Sequence, residues 1–174
     1  MVKRRTRFVA AMSLTLIVAA VVPAVAATPR NATLTAQGGT VFKPNRFIGD
    51  GMRFGRDVTV MKSRGTLTIR NRTREPHTFS IVRRSQVPRT ARQAERCTVC
   101  QALGVAHGIP ANGQGPPTIP LVDRDRKGFN QAGDSIVFGP RETTRVKITA
   151  KTGQTLNFLC AIHPWMLGKV AVRR

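Results

Sequence analysis

Short runs of alternating polar and apolar residues fill the chain from Ala32 onward, separated by Gly, Pro, Asn and Ser. Ala32 to Ala36 is one such run, closed by Gly38-Gly39. Val41 to Phe47 is extended but interrupted by Pro44, which assigns it to a sheet edge, where a missing N–H is tolerated. Asp57 to Met61 and Thr66 to Arg70 alternate cleanly, and their pattern puts Val58 and Val60, then Leu67 and Ile69, on an inward face. Ser63-Arg64-Gly65 reads as the turn between them. A loop from Asn71 to Glu75 leads into a strand from His77 to Val82. Ser135 to Phe138, Thr143 to Ala150, Thr155 to Cys160 and Lys169 to Val172 complete the set. Many short strands joined by turn signals predict an all-β sandwich. No long segment beyond the N-terminal residues has helical periodicity, and no internal repeat is visible.

Residues 83–132 break the pattern and read as an insertion between strands. Pro88 suits a first helical turn, and Ala91, Ala94, Ala102 and Leu103 favour helix, so a short helix is expected between Pro88 and Val105. Gly108 to Pro120 is rich in Gly and Pro and should be irregular. His107, between the two, reads as a solvent-facing loop residue.

The N-terminus has the layout of an export signal. Lys3, Arg4, Arg5 and Arg7 form a basic region, Phe8 to Val22 is apolar and uncharged, and Ala24-Val25-Ala26 supplies small residues for cleavage. The apolar run of fifteen residues falls short of a comfortable membrane span. Arg4-Arg5-Thr6-Arg7-Phe8 also resembles a twin-arginine signal, so either export route is open. The expected division is therefore a signal peptide at 1–26 and one domain at 27–174, destined for the periplasm, the cell envelope or the extracellular space. Such a domain has room for a sandwich of roughly 100 residues and an insertion.

Charge is strongly one-sided: 29 Lys and Arg against 8 Asp and Glu give +21, of which +17 remains once the four cations of the signal are removed. Export and the lack of an aromatic-rich basic strand argue against nucleic acid. An acidic redox protein, an anionic surface polymer or a lipid headgroup layer fits better. Codon bias toward Arg in a GC-rich genome would produce the same composition.

The chemistry concentrates near the C-terminus, in Cys160-Ala161-Ile162-His163-Pro164-Trp165-Met166. A thiolate, an imidazole and a thioether within seven residues form the mixed donor set that suits copper cycling between Cu(I) and Cu(II). The usual trigonal set needs a second imidazole, and His77, at a strand start, supplies it. Cys97 and Cys100 are then left for each other, and an oxidising compartment favours their disulfide. A redox dithiol, or a second metal site using His107, is the alternative; the first lacks a βαβ setting and the second offers only three ligands.

This constellation resembles the type 1 copper site of the cupredoxins, closest to the amicyanin, pseudoazurin and plastocyanin-like group. The resemblance rests on the Pro76-His77 pair and on the short spacing from Cys160 to His163 to Met166, with Pro164 after the second His. It covers Asn71 to Val82 and Thr143 to Val172 well, and Ala32 to Gly65 loosely. It implies a Greek-key β-sandwich carrying an irregular, partly helical insertion, with one copper ion held by His77, Cys160, His163 and Met166. It also implies a His163 ring edge at the surface, with Pro164 and Trp165 beside it for docking. Many relatives have Asn after the first ligand His; here Thr78 stands there. The expected function is electron transfer between protein partners by a monomer that is not an enzyme, since the only other histidine is His107. A copper carrier or buffer of the envelope would use the same ligands.

Overall fold

A computed structural model of the chain describes residues 27–110 and 115–174, so the signal expected at 1–26 lies outside the described residues. The chain begins with β1 (Ala32–Gln37), β2 (Thr40–Lys43), β3 (Phe47–Asp50) and β4 (Arg53–Phe54). It continues through β5 (Val58–Lys62), β6 (Gly65–Asn71) and β7 (His77–Val82). A 3₁₀ turn at Arg84–Gln86, α1 (Ala91–Glu95) and α2 (Thr98–Ala106) follow. The rest comprises β8 (Leu121–Val122), β9 (Ser135–Phe138), β10 (Thr143–Ile148), β11 (Thr155–Leu159) and β12 (Leu167–Arg173).

Two sheets form the sandwich. One has the order β10-β6-β1-β4 and the other β5-β12-β11-β7-β9-β8. Their inner faces share one core, in which Leu34, Ile69, Phe79, Phe158 and Val172 are fully buried or nearly so. Phe79 and Phe158 lie with ring centroids 4.6 Å apart, and Phe54 meets Phe158 edge-on at 5.1 Å. Gly168 faces Phe158 across the β11–β12 pair, and a Cβ there would run into that ring. The absent side chain makes room for the aromatic.

Alternation located most strands correctly but misassigned one face. Val58 and Val60 are 47% and 42% exposed, whereas Thr59 and Met61 point inward. The cause is non-local. β5 runs parallel to β12, with Thr59 level with Val170 and Met61 level with Val172. Residues in register share a face, and both valines of β12 are fully buried. The predicted edge strand from Val41 to Phe47 is instead a hairpin, β2 paired with β3 and separate from both sheets. Asn45, at φ 56°, makes its turn beyond Pro44.

The insertion is helical as expected, and it lies on the outer face of the six-stranded sheet. Alternation along β7 sends Phe79 and Ile81 into the core and Thr78, Ser80 and Val82 outward. All six residues of β7 are nonetheless buried. Val82 and Leu159 pack with Leu103 of α2 and with Cys97 and Cys100, which are joined in a disulfide. His107 caps the C-terminus of α2 and is 1% exposed. The solvent-facing position expected for it is therefore wrong. The insertion folds back onto the sheet and buries it.

Candidate metal centre

His77 opens β7, Cys160 follows the last residue of β11, and His163 and Met166 lie on the loop that returns to β12. All four are buried. The loop is tied to itself: the Cys160 N–H donates to the Met166 carbonyl at 3.0 Å, and the Met166 N–H donates to the His163 carbonyl at 2.8 Å. Its base is tied to β7. The Ala161 N–H donates to Thr78 Oγ1 at 2.7 Å, and the Thr78 N–H donates to Cys160 Sγ at 3.3 Å. Thr78 thus joins the two ligand-bearing segments, the task that Asn has in many cupredoxins.

His77, Cys160 and His163 bring one donor atom each into a common space. His77 Nδ1 and His163 Nδ1 are 3.1 Å apart, and Cys160 Sγ is 3.7 Å from both. A point equidistant from the three lies about 2 Å from each, near the metal–nitrogen and metal–sulfur lengths of about 2.0 to 2.3 Å in first-row sites. Met166 is fully buried on the same loop.

Neighbouring groups offer acceptors to the outer nitrogen of each imidazole. His77 Nε2 lies 2.7 Å from Thr73 Oγ1. That hydroxyl can donate its single proton to Asn71 Oδ1 at 2.9 Å or to the Glu75 carbonyl at 3.2 Å, which leaves its oxygen free to accept from a His77 Nε2–H. Asn71 is held in that orientation because its Nδ2 donates to the carbonyls of Glu75 and Gly139. His163 Nε2 faces the Glu75 carboxylate at 3.1 Å, which can only accept. With the ring protons on Nε2, each histidine turns a bare Nδ1 toward the common space, the tautomer that a metal ion bound there requires. Two nitrogens 3.1 Å apart beside a sulfur can share one cation between them. The donor set fits a metal ion.

Electrostatics agree. Burial, and then the neighbouring His163, lower the His77 pKa from 6.5 to about 4, against a smaller upward pull from Asp50. The ring is neutral and available as a ligand at pH 7. Burial raises the Cys160 pKa, opposed by hydrogen bonds that include the Thr78 amide. A metal ion must displace that thiol proton to bind the thiolate.

Two participants had not been singled out as site residues. Thr73 and Glu75 lie against the outer ring nitrogens of His77 and His163, and the signal available for them is their position four and two residues before His77. The His163 ring is also less open than the resemblance implied. It is 7% exposed, covered by Glu75 and by Trp165, whose ring meets it edge-on at 5.4 Å. Trp165 itself is 46% exposed.

No protein-family model matches the chain, and no curated protein matches it in sequence. Among solved structures, dithionite-reduced auracyanin from Roseiflexus castenholzii superposes with a TM-score of 0.51 at 15% identity, over 85% of this chain and 100% of that one. Auracyanin A, a "blue" copper protein from Chloroflexus aurantiacus, gives 0.46 at 20% identity, over 83% and 98%. A purple cupredoxin from Nitrosopumilus maritimus gives 0.44 at 12%, over 81% and 98%. The fold is the cupredoxin β-sandwich, and this chain places a His-Cys-His-Met set at one end of it.

Proposed function

We propose that the chain is an exported, mononuclear blue copper protein that carries single electrons between redox partners through His77, Cys160, His163 and Met166. The observation that supports this is the convergence of two Nδ1 atoms and one sulfur in a buried, hydrogen-bonded cage. Copper bound there supplies one-electron chemistry between Cu(I) and Cu(II), which this mixture of imidazole, thiolate and thioether accommodates in both states. The protein excludes water from the donors and keeps them in place through Thr78, Thr73 and the internal bonds of the ligand loop. Little then has to rearrange when charge changes, which favours rapid transfer. The count of imidazoles supports a carrier over an oxidase: His107 is the one remaining histidine, and it is engaged elsewhere.

Pro164 and Trp165 directly follow His163, and Ile162 and Trp165 are 41% and 46% exposed beside it. This small apolar face is where a partner would approach the metal. With +17 on residues 27–174, encounter with an acidic partner should be fast at low salt and slow as ions screen it.

Adding Cu(II) to the purified metal-free protein should give an intense blue colour that Cys160→Ser abolishes. A colourless protein with full Cu(II) occupancy would sink the assignment. A reversible one-electron wave and rapid self-exchange would mark an electron carrier, whereas loss of copper on each cycle would mark a copper carrier or buffer. Trp165→Lys should slow electron transfer to the partner while leaving the blue spectrum in place.

A further inference from the structure

The hairpin of β2 and β3 belongs to neither sheet, yet it continues one of them. Gln37 lies opposite Arg53 in the β1–β4 pair, and Thr40 lies opposite Asp50 in the hairpin, so one register carries on from pair to hairpin. Gly38 makes the bend between them: its φ is 102°, and a Cβ there would strike the Gly51 backbone. The root is fixed, because Met52 and Phe54 are buried in the core. The arm beyond it is open: Phe42 and Ile48 are 67% and 72% exposed, Val41 and Phe47 49% and 52%. It leaves the sandwich at the metal end. β1 runs parallel to β6, and the Arg72 N–H, just past β6, donates to the Ala36 carbonyl at 2.8 Å. From there Asn71 and Thr73 lead to His77.

Cross-strand pairing sorts the arm into two faces. Phe42 is opposite Ile48, and these two make one face. Lys43 is opposite Phe47 and Val41 is opposite Gly49, and these make the other, with Lys43 Nζ 5.9 Å over the Phe47 ring. Both faces are therefore apolar and open to water, which marks an interaction site. A protein partner, or a second copy of this chain, laid on a two-stranded ribbon covers one face and leaves the other wet. A lipid interface surrounds both. Charge points the same way. Residues 40–53 hold Lys43, Arg46 and Arg53 against Asp50 alone, and the Asp50 carboxylate accepts from the Met52 N–H at 2.7 Å. Cations at the turn and at the root complement anionic headgroups.

We propose that the β2–β3 arm is a membrane-docking element that lies in the headgroup layer of an anionic bilayer, with Phe42 and Ile48 sunk below the phosphates. Lys43 and Phe47 then stay at headgroup level, where an aromatic ring and a long-stemmed cation are both favoured. Strands of four residues are about 13 Å long, far short of the ~30 Å hydrocarbon core, so the arm lies in the interface and does not cross it. Two apolar side chains anchor weakly by themselves, and basic charge adds the second signal that firm attachment needs. Because the arm leaves from the metal end, the docked protein turns that end toward the bilayer. This goes beyond the electron-carrier reading and does not depend on copper.

The test is sedimentation of the exported, signal-free protein with vesicles, metal-free and copper-loaded. Wild type should bind vesicles that contain phosphatidylglycerol, and bind pure phosphatidylcholine at least about tenfold more weakly. Phe42→Ser with Ile48→Ser should weaken binding to the anionic vesicles about a hundredfold, and should leave thermal unfolding unchanged because both side chains are exposed. Val58→Ser with Val60→Ser, an exposed apolar pair on β5, should bind as wild type does. Phe42→Trp combined with Trp165→Phe carries a single indole, whose fluorescence lipids brominated in the acyl chain should quench. Wild type that ignores anionic vesicles at low salt would overturn the proposal. So would a Phe42, Ile48 variant that binds like wild type, since charge alone would then suffice. A dimer, or a complex with a redox protein, that this variant dissolves while vesicles are ignored would assign the arm to a protein surface and overturn it as well. Metal-free and copper-loaded protein should bind alike, so failure here is distinct from failure of the copper assignment.

Discussion

The two faces of β7 are buried for different reasons. The inner face presents Phe79 and Ile81 to a core that any sandwich of this kind must build. The outer face presents Thr78 and Ser80 and is covered only because residues 83–132 close over it. Inside, burial is apolar and gains from area removed from water. Outside, Val82 joins a small apolar cluster, but at Thr78 and Ser80 burial is polar and is tolerable only because each hydroxyl finds a partner. The inner face should therefore govern stability, and the outer face should govern the behaviour of the metal site.

Neighbouring truncations on β7 break that comparison most directly. Phe79→Ala removes a fully buried ring that packs on Phe158 and Phe129, and should cost about 3 to 5 kcal/mol in urea unfolding. Ser80→Ala, one residue on, should cost roughly 1 to 3 kcal/mol, through the partners it leaves unpaired. Unlike Phe79→Ala, it should shift the blue band without weakening the apolar core. Equal losses of stability in the two variants would erase the distinction between the faces.

Metal removal gives the next largest effect. In the metal-free protein His77 has a pKa of about 4 against 6.5 in the unfolded chain, so below 6.5 the unfolded state binds more protons. Stability contributed by the neutral ring is complete above pH 6.5 and is lost as pH falls toward 4, by about 3 kcal/mol in all. His107, whose pKa burial also lowers, adds loss of the same sign. Unfolding free energies of metal-free wild type and His77→Gln, compared at pH 7 and pH 4.5, should converge at the lower pH. A difference independent of pH would rule out this linkage.

Much of the site was legible because its chemistry is compact in sequence. Cys160, His163 and Met166 sit within one seven-residue loop, and His77 follows a Pro at a strand start. What could not be read depends on distant chain. The inward face of β5 is set by its parallel pairing with β12, more than 100 residues away, and the apolar Val58 and Val60 pointed to the wrong side. His107 has no local pattern to mark it, and its partner Ser135 is 28 residues further on. The two-residue strands β4 and β8 are too short to alternate. Thr73 and Glu75 are ordinary loop residues until the fold brings them against two imidazoles.

The disulfide sharpens the comparison at smaller scale. Cys97–Cys100 closes a loop of four residues, so its entropic contribution is about 2 kcal/mol or less. It pins α2 where Leu103 packs and where the helix delivers His107. Cys97→Ala with Cys100→Ala should lower the unfolding free energy by no more than that and leave the copper stoichiometry at one. Loss of a second equivalent of metal in the double variant would revive the reading of these thiols as ligands.

The smallest effect has the opposite sign. Thr59 points inward on β5 and is 2% exposed, and its hydroxyl has no hydrogen-bond partner among the described residues. It is the inner-face counterpart of the outer hydroxyls, with the same kind of group buried but nothing to answer it. Val has nearly the same shape and lacks the polar atom, so Thr59→Val removes a desolvation penalty and leaves no cavity. The variant should be more stable by about 1 kcal/mol, with an unchanged blue spectrum, since β5 lies at the sheet edge away from His77. Thr78→Val makes the same chemical change on the outer face. There it removes the acceptor of the Ala161 amide and of the Ser80 hydroxyl, so it should destabilise the protein and move the blue band. If both valines acted in the same direction, the difference between the two faces would not lie in whether their polar groups are satisfied.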